Sequence, residues 1–180
     1  MPNLTLAICV YNTAKYIKDT LQSVALQTMQ DFHLLVVDDC STDGSVAAIK
    51  VFFEEHPRQY ELVCRPVNGG LCNGRRFVEE NATTKYIMFV DADDILYPQA
   101  VETLYNKISS DKDLMAVGCY LEYINEKGER IGGTGGNIYY AWALMMVMTC
   151  VKYFHDNQEN PDIYEDEIEE EDSKAATFGS

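Results

Sequence analysis

Asp91, Asp93 and Asp94 crowd three carboxylates into four positions, directly after the apolar run Ile87 to Val90. Acids that close repel one another unless a cation or solvent neutralises them. A second acidic pair, Asp38-Asp39, closes the run HLLVV at 33–37. Tyr11-Asn12 follows LTLAICV at 4–10, and Arg65 to Gly70 follows YELVC at 60–64. Each polar cluster therefore stands at the end of an apolar run. Carboxylates do not grip a diphosphate directly; they need a divalent cation between. Oxygen ligands favour Mg²⁺ or Mn²⁺, which accept one or two carboxylates plus phosphate oxygens. In an alternating Asp-Ala-Asp, one acid can reach a ribose hydroxyl and the other the metal. Arg75 can offset the remaining phosphate charge. The chemistry these residues suit is the binding of a nucleoside diphosphate.

Each cluster also has an ordinary reading. Asn12 could cap a helix, and Asn68-Gly69-Gly70 could be only a turn. Arg75-Arg76 could be a solvated helix face, and the acids could be loop residues that cap. Counted from Asp91, acids fall at positions 1, 3 and 12 (Glu102) of a calcium loop. Leu96 stands where that loop needs Gly, which argues against it. No GxGxxG follows the first apolar run, so a dinucleotide fold is weakly supported. The six cysteines form no CxxC pair, which argues against zinc.

The elements that would position these groups alternate. Apolar runs at 4–10, 33–39, 60–64 and 85–90 read as buried strands. Between them, Ile17, Leu21, Val24 and Thr28 mark one helical face, and Val46, Ile49 and Phe53 another. Asn12 or Thr13, and then Ser41, Thr42 or Asp43, are candidate caps. A short helix is expected after the glycine loop, to about Ala82. Pro98 suits the first turn of the next helix, with Val101, Leu104, Tyr105 and Ile108 as its stripe. LMAVGCYLEYI (114–124) reads as a fifth strand and EKGE (126–129) as a turn. Such alternation predicts an α/β fold with a mostly parallel central sheet. Ligands of such sheets bind beyond the carboxyl ends of the strands, where all four polar clusters fall.

The expected division is a nucleotide-binding core over 1–125 and a partial second segment over 126–180. That segment holds a glycine-rich stretch at 132–136, an apolar helix expected over Ile138 to Val151 and an acidic tail. The uncharged run is too short to span a bilayer and reads as a packing or partner helix, a candidate homo-oligomer contact. The net charge of −15 argues against nucleic acid and anionic membrane surfaces. The tail from Asp156 to Asp172 holds ten of the 29 acids and no base, so the body is nearer balance. Cys9, Cys64 and Cys119 fall in strand-like runs, where free Cys acts as a small core hydrophobe. Without a basic N-terminal region or signal peptide, the expected setting is a reducing, cytoplasmic one, peripheral at the inner membrane face.

ICVYN (8–12), VVDDCSTDGS (36–45), NGGLCNGRR (68–76) and FVDADD (89–94), in this order and spacing, resemble family 2 glycosyltransferases of the GT-A fold. The likeness covers roughly residues 4–125. It implies a Rossmann-like nucleotide-diphospho-sugar transferase sandwich, here truncated at its C-terminus. Val10, Tyr11 and Asn12 would line the nucleotide pocket, and Asp39 with its neighbour Asp38 would contact the base. Asn68 and Gly70 of the glycine loop would belong to the donor site. Arg75 would lie near base and diphosphate. Asp91 would touch the ribose beside Ala92, and Asp93 would hold Mn²⁺ or Mg²⁺. Two departures stand out: the family's Ala-Arg-Asn is Gly74-Arg75-Arg76 here, and the chain ends early. Tyr164-Glu165-Asp166-Glu167 matches the family's acidic motif and implies Asp166 as the base that deprotonates the acceptor. A Glu-Asp pair also arises easily in so acidic a stretch.

The resemblance implies inverting transfer of one sugar, from a donor that suits UDP, to a glycan or lipid-linked hydroxyl in surface polysaccharide synthesis. Processive synthesis is not expected, because no QxxRW is present. A second reading is a truncated domain that binds nucleotide sugar without efficient transfer. A third, a receiver-like signalling domain, is disfavoured because its acidic pair would follow the first strand rather than the second.

Overall fold

The computed structural model describes residues 2–119, 121–125, 128–133 and 147–150. Four strand–helix units open the chain. They are β1 (Leu4–Val10) with α1 (Ile17–Ala25), and β2 (His33–Asp38) with α2 (Ser45–Glu55). They continue with β3 (Glu61–Cys64) and α3 (Leu71–Asn81), then β4 (Tyr86–Asp91) and α4 (Ala100–Ser110). β1 pairs in parallel with both β2 and β4, and β3 pairs in parallel with β2. The sheet therefore runs β3-β2-β1-β4, and its order reverses between β1 and β4. Register levels the strand ends: Val10 lies beside Asp38, Asp38 beside Cys64, and Cys9 beside Asp91.

Strand periodicity sends alternate side chains to opposite layers. Leu4, Leu6, Ile8 and Val10 join Leu34, Val36, Met88 and Val90 under α1, α2 and α4. Ala7, Leu35, Val37, Ile87 and Phe89 face the other way, where Val78 and Phe77 of α3 cover them. Burial on both faces explains why the strands read as continuous apolar runs. Ile8 is wholly buried, and its truncation to Ala should cost about 2–5 kcal/mol.

Three expectations need correction. The strand read over 114–124 is two short ones, β5 (Ala116–Gly118) and β6 (Glu122–Ile124). β6 leaves the main sheet and pairs with β7 (Arg130–Gly133), around a turn where Gly128 has φ 78°. The residues at 116–118 and 122–124 are half-buried or exposed, so the unbroken apolar run had no continuous core to face. The apolar helix expected over 138–151 is a strand at its C-terminal part: β8 (Val147–Cys150) pairs antiparallel with β4 and β5. A short apolar run fits a buried strand as well as a helix, and pairing with the β4 edge decides it. Residues 138–146 lie outside the described residues. Cys64, expected in the core, is exposed in β3 at the sheet edge. Among the described residues, no helix is long and apolar enough to cross a membrane.

Candidate functional site

The β1–α1 and β2–α2 loops are stitched together. The Asn12 N–H donates to Ser41 Oγ at 3.0 Å, and Thr42 N–H donates back to Asn12 Oδ1 at 2.8 Å. Thr13 N–H donates to Ser45 Oγ, and Ala14 N–H to Asp43 Oδ2. Asn12 therefore does not cap α1; it bridges to the neighbouring loop, in a left-handed conformation with φ 52°. Asp43 accepts from both Ser45 N–H and Ser45 Oγ, which fixes the start of α2. Those bonds, led by the Ser45 hydroxyl, hold its carboxyl below the usual range.

Asp39 organises the next wall. Its N–H donates to the Val10 carbonyl at 2.8 Å, tying β2 to β1 at the rim. Its buried carboxylate accepts from Arg65 Nη1 at 2.6 Å, from Gly69 N–H at 2.9 Å and from Gly70 N–H at 2.7 Å. The glycine loop thus folds over one acid, and Asn68 Oδ1 adds a bond to Gly70 N–H. Gly70 has φ 82° and ψ 167°, a region open essentially to glycine alone. A Cβ on Gly69 would lie 2.8 Å from Arg65 Nη2. Gly70 is thus required by its backbone conformation, and a side chain at Gly69 would displace the end of Arg65. Asp38 accepts from Ser41 N–H through Oδ2, while its buried Oδ1 has no partner among the described residues.

The third wall comes from α3 and β4. Gly74 packs on Cys9, where an added Cβ would sit 3.4 Å from Sγ. That close approach brings Arg75 over the Phe89 ring, 5.5 Å from its centroid, and its Nη2 donates to Asp91 Oδ1 at 2.9 Å. Arg76 instead pairs with Glu80 on the surface. Cys9 lies between the two ion pairs. Burial pushes its thiol up to about 11, with the charges of Arg75, Asp91, Asp39 and Arg65 all felt there. Val10 and Ala92 are buried, and Tyr11, Asn68 and Asp93 are exposed on the rim.

Beyond Asp91 the chain turns, with Asp94 N–H donating to the Asp91 carbonyl. Burial, then the charges of Asp91 and Asp93, raise the Asp94 carboxyl to about 6. Among the described residues no group of three or more His, Cys, Asp or Glu forms a protein cage. One exposed carboxylate, Asp93, beside two half-buried ones fits the mode in which Mg²⁺ or Mn²⁺ takes most of its ligands from phosphates and water.

The structure thus brings Val10, Asn12, Asp38, Asp39, Asn68, Gly70, Arg75 and Asp91 to the rim of the sheet where strand order reverses, with Ala92 and Asp93 directly following. Asp166 lies outside the described residues. Arg65 was legible only as part of a polar stretch; that it neutralises Asp39 follows from β3 lying beside β2. The polar residues Thr20, Ser23 and Gln27 of the α1 region were hidden by the apolar stripe they interrupt.

Comparison with known proteins agrees with this geometry. The family described as Glycosyl transferase family 2 matches residues 5–160. Glycosyltransferase GlyA of Streptococcus pneumoniae is 34% identical over 137 residues, which is 76% of this chain and 19% of that protein. An uncharacterized glycosyltransferase, YibD of Escherichia coli, is 33% identical over 70% of this chain and 36% of its own length. The chain spans less than half the length of these relatives. Among solved structures, the mannosyltransferase PcManGT of Pyrobaculum calidifontis, in complex with GDP-Man and Mn²⁺, superposes with a TM-score of 0.61 at 26% identity, covering 68% of this chain and 36% of that one. TarS of S. aureus in complex with UDP-GlcNAc gives 0.66 at 20% identity over 88% of this chain and 48% of that one, a likeness of fold. With four strand-end clusters converging on one rim and a family match across most of its length, the chain belongs to glycosyl transferase family 2 and has its GT-A fold.

Proposed function

We propose that the protein transfers a single sugar, with inversion, from a nucleoside-diphosphate donor to a hydroxyl of a glycan or lipid-linked acceptor in surface polysaccharide synthesis. The observation that carries this reading is the convergence of Asp38, the Asp39-held glycine loop, the Arg75–Asp91 pair and Asp93 on the switch point between β1 and β4. Clefts at such switch points are where open α/β sheets take nucleotides.

In this reading the base meets the Asp38–Asp39 pair. Ionised carboxylates only accept hydrogen bonds, so the base must offer an N–H. Uracil, thymine and guanine do so through a ring N–H, and cytosine through its exocyclic amino group. UDP is the favoured donor nucleotide, and GDP and dTDP remain competitors on the same chemistry. Asp91 receives the ribose, and Arg75 turns toward the diphosphate. Asp93 holds Mn²⁺ or Mg²⁺, which when bound supplies the charge neutralisation that lets the nucleoside diphosphate depart. Asp166 takes the proton of the acceptor hydroxyl as it attacks the sugar carbon from the opposite face.

The test is release of nucleoside diphosphate from a panel of sugar donors with oligosaccharide acceptors, with the product anomer read by NMR. Asp93→Asn should nearly abolish turnover, and Asp166→Asn should spare donor binding while removing transfer. Retention of the donor's anomeric configuration would contradict the mechanism. A chain that binds donor but never transfers it would instead be a nucleotide-sugar-binding domain.

A further inference from the structure

We infer that three buried polar side chains of the α1 region, Thr20, Ser23 and Gln27, act as positioning residues that set the backbone carrying Asp91, Asp93 and Asp94. This rests on the reading of those acids as donor and metal contacts. All three side chains are buried, with Thr20 at 0%, Ser23 at 6% and Gln27 at 4% exposure. Their spacing of three and four residues places them along one side of the helix and its C-terminal extension.

Each grips the segment that follows β4. Thr20 Oγ1 donates to the carbonyl of Ala92 at 2.9 Å, the peptide between the two acids of the Asp-Ala-Asp. Ser23 Oγ donates to the Thr20 carbonyl at 2.7 Å and accepts from Leu96 N–H at 3.0 Å. Gln27 spans the far end: Nε2 donates to the Tyr97 carbonyl at 2.9 Å, and Oε1 accepts from Val101 N–H at 3.0 Å. Thr28 N–H then donates to the Pro98 carbonyl at 2.8 Å. The acidic segment thus lies along a row of donors and acceptors presented by α1.

An apolar helix face would have served the core equally well. Buried polar groups are costly unless every bond is made, so a row this complete fixes one backbone path. The consequence reaches the acids because the Ala92 carbonyl is held from behind while Asp91 and Asp93 project to the rim. Groups that orient metal ligands without touching the ion commonly change its affinity about 10–100-fold when removed. Thr20→Val keeps the shape of the side chain and deletes the donor to Ala92. Its loss should therefore fall on the metal-dependent part of nucleotide binding.

The experiment titrates UDP and GDP into the full chain, with and without Mn²⁺, for wild type, Thr20→Val, Thr20→Ser and Gln27→Met. Amide hydrogen exchange of residues 92–101 is followed in the ligand-free proteins. We expect Thr20→Val to lower the Mn²⁺-dependent gain in affinity by about tenfold or more, to speed exchange in that segment, and Thr20→Ser to restore both. Gln27→Met serves the same purpose if Thr20→Val does not fold. An unchanged Mn²⁺-dependent gain in both variants would overturn the inference, as would equal losses with and without the metal. Should wild type show no Mn²⁺-dependent binding, the proposed function fails, and exchange alone decides the positioning role. Faster exchange confined to 92–101 would then support it, and unchanged exchange would refute it.

Discussion

Arg75 donates to Asp91 at 2.9 Å across the mouth of the rim, with each side chain about a third exposed. In the ligand-free protein the two neutralise each other. In the proposed function a bound donor would give both a different partner, ribose for the acid and diphosphate for the guanidinium, and the pair would be a closed form of two binding groups.

Arg75→Gln should leave stability within about 1 kcal/mol, because a half-exposed ion pair contributes little. It should weaken nucleoside diphosphate binding by about tenfold or more, since Arg–phosphate contacts are charge-assisted and geometrically fixed. Arg75→Lys should recover only part of this. Thermal melts beside nucleotide titrations separate the two effects. A large loss of stability with unchanged affinity would make the pair structural.

The glycine loop gives a second prediction. Gly70→Ala forces a side chain into a glycine-only backbone conformation and should cost about 1–3 kcal/mol. Gly69→Ala should cost less stability, because the end of the Arg65 side chain can move aside. That movement would break the Arg65–Asp39 bond, so nucleotide affinity should fall in both. Chemical denaturation of both variants, with binding measured at the same temperature, checks the order.

Asp94 predicts a pH dependence. Its carboxyl is raised from 3.8 to about 6 by burial and by Asp91 and Asp93. A raised acid favours the protonated fold, so its contribution is complete below about 4 and is lost as pH rises through about 6. Screening at this half-buried position reduces the loss at pH 7 to on the order of 1 kcal/mol. Asp94→Asn should flatten stability across that window. Mn²⁺ with a nucleoside diphosphate should stabilise wild type more at pH 7 than at pH 5. Equal stability of wild type at pH 4.5 and pH 7, after the same window is measured in Asp94→Asn, would contradict this account.

Cysteine reactivity gives a fourth. Cys9 is held as a neutral thiol, pushed up to about 11 by burial, whereas Cys64 and Cys72 are exposed. Iodoacetamide at pH 8 should label Cys64 and Cys72 first and reach Cys9 only on unfolding. Peptide mass mapping over time reads the order. Early labelling of Cys9 would mean that α3 lifts from β1, contrary to the close Gly74 contact.

The sequence carried β1, β2 and β4 because each is buried on both faces and so reads as an unbroken apolar run, whereas the edge strand β3 is only partly covered. It carried the rim because Asn12, Asp38, Asp39, Arg65 and Asp91 interrupt those runs at their ends. It could not carry the pairing of Asp39 with Arg65 and the Gly69 and Gly70 amides, which depends on strands 26 or more residues apart lying side by side. The Thr20, Ser23 and Gln27 row was masked by Ile17, Leu21 and Val24, since polar residues on a helix ordinarily mark its solvent side. After Gly118 the apolar pattern gave the wrong outcome. Short strands are set by partners rather than by their own periodicity, as β8, lying between β4 and β5, illustrates.

The most direct test of the account is calorimetric titration of the protein with UDP, GDP and dTDP, each with and without Mn²⁺. The account predicts that UDP, or one of the other two bases bearing a ring N–H, binds at least about tenfold more tightly with the metal. Failure of all three to bind the folded protein would contradict the assignment of this rim as a nucleotide-sugar site.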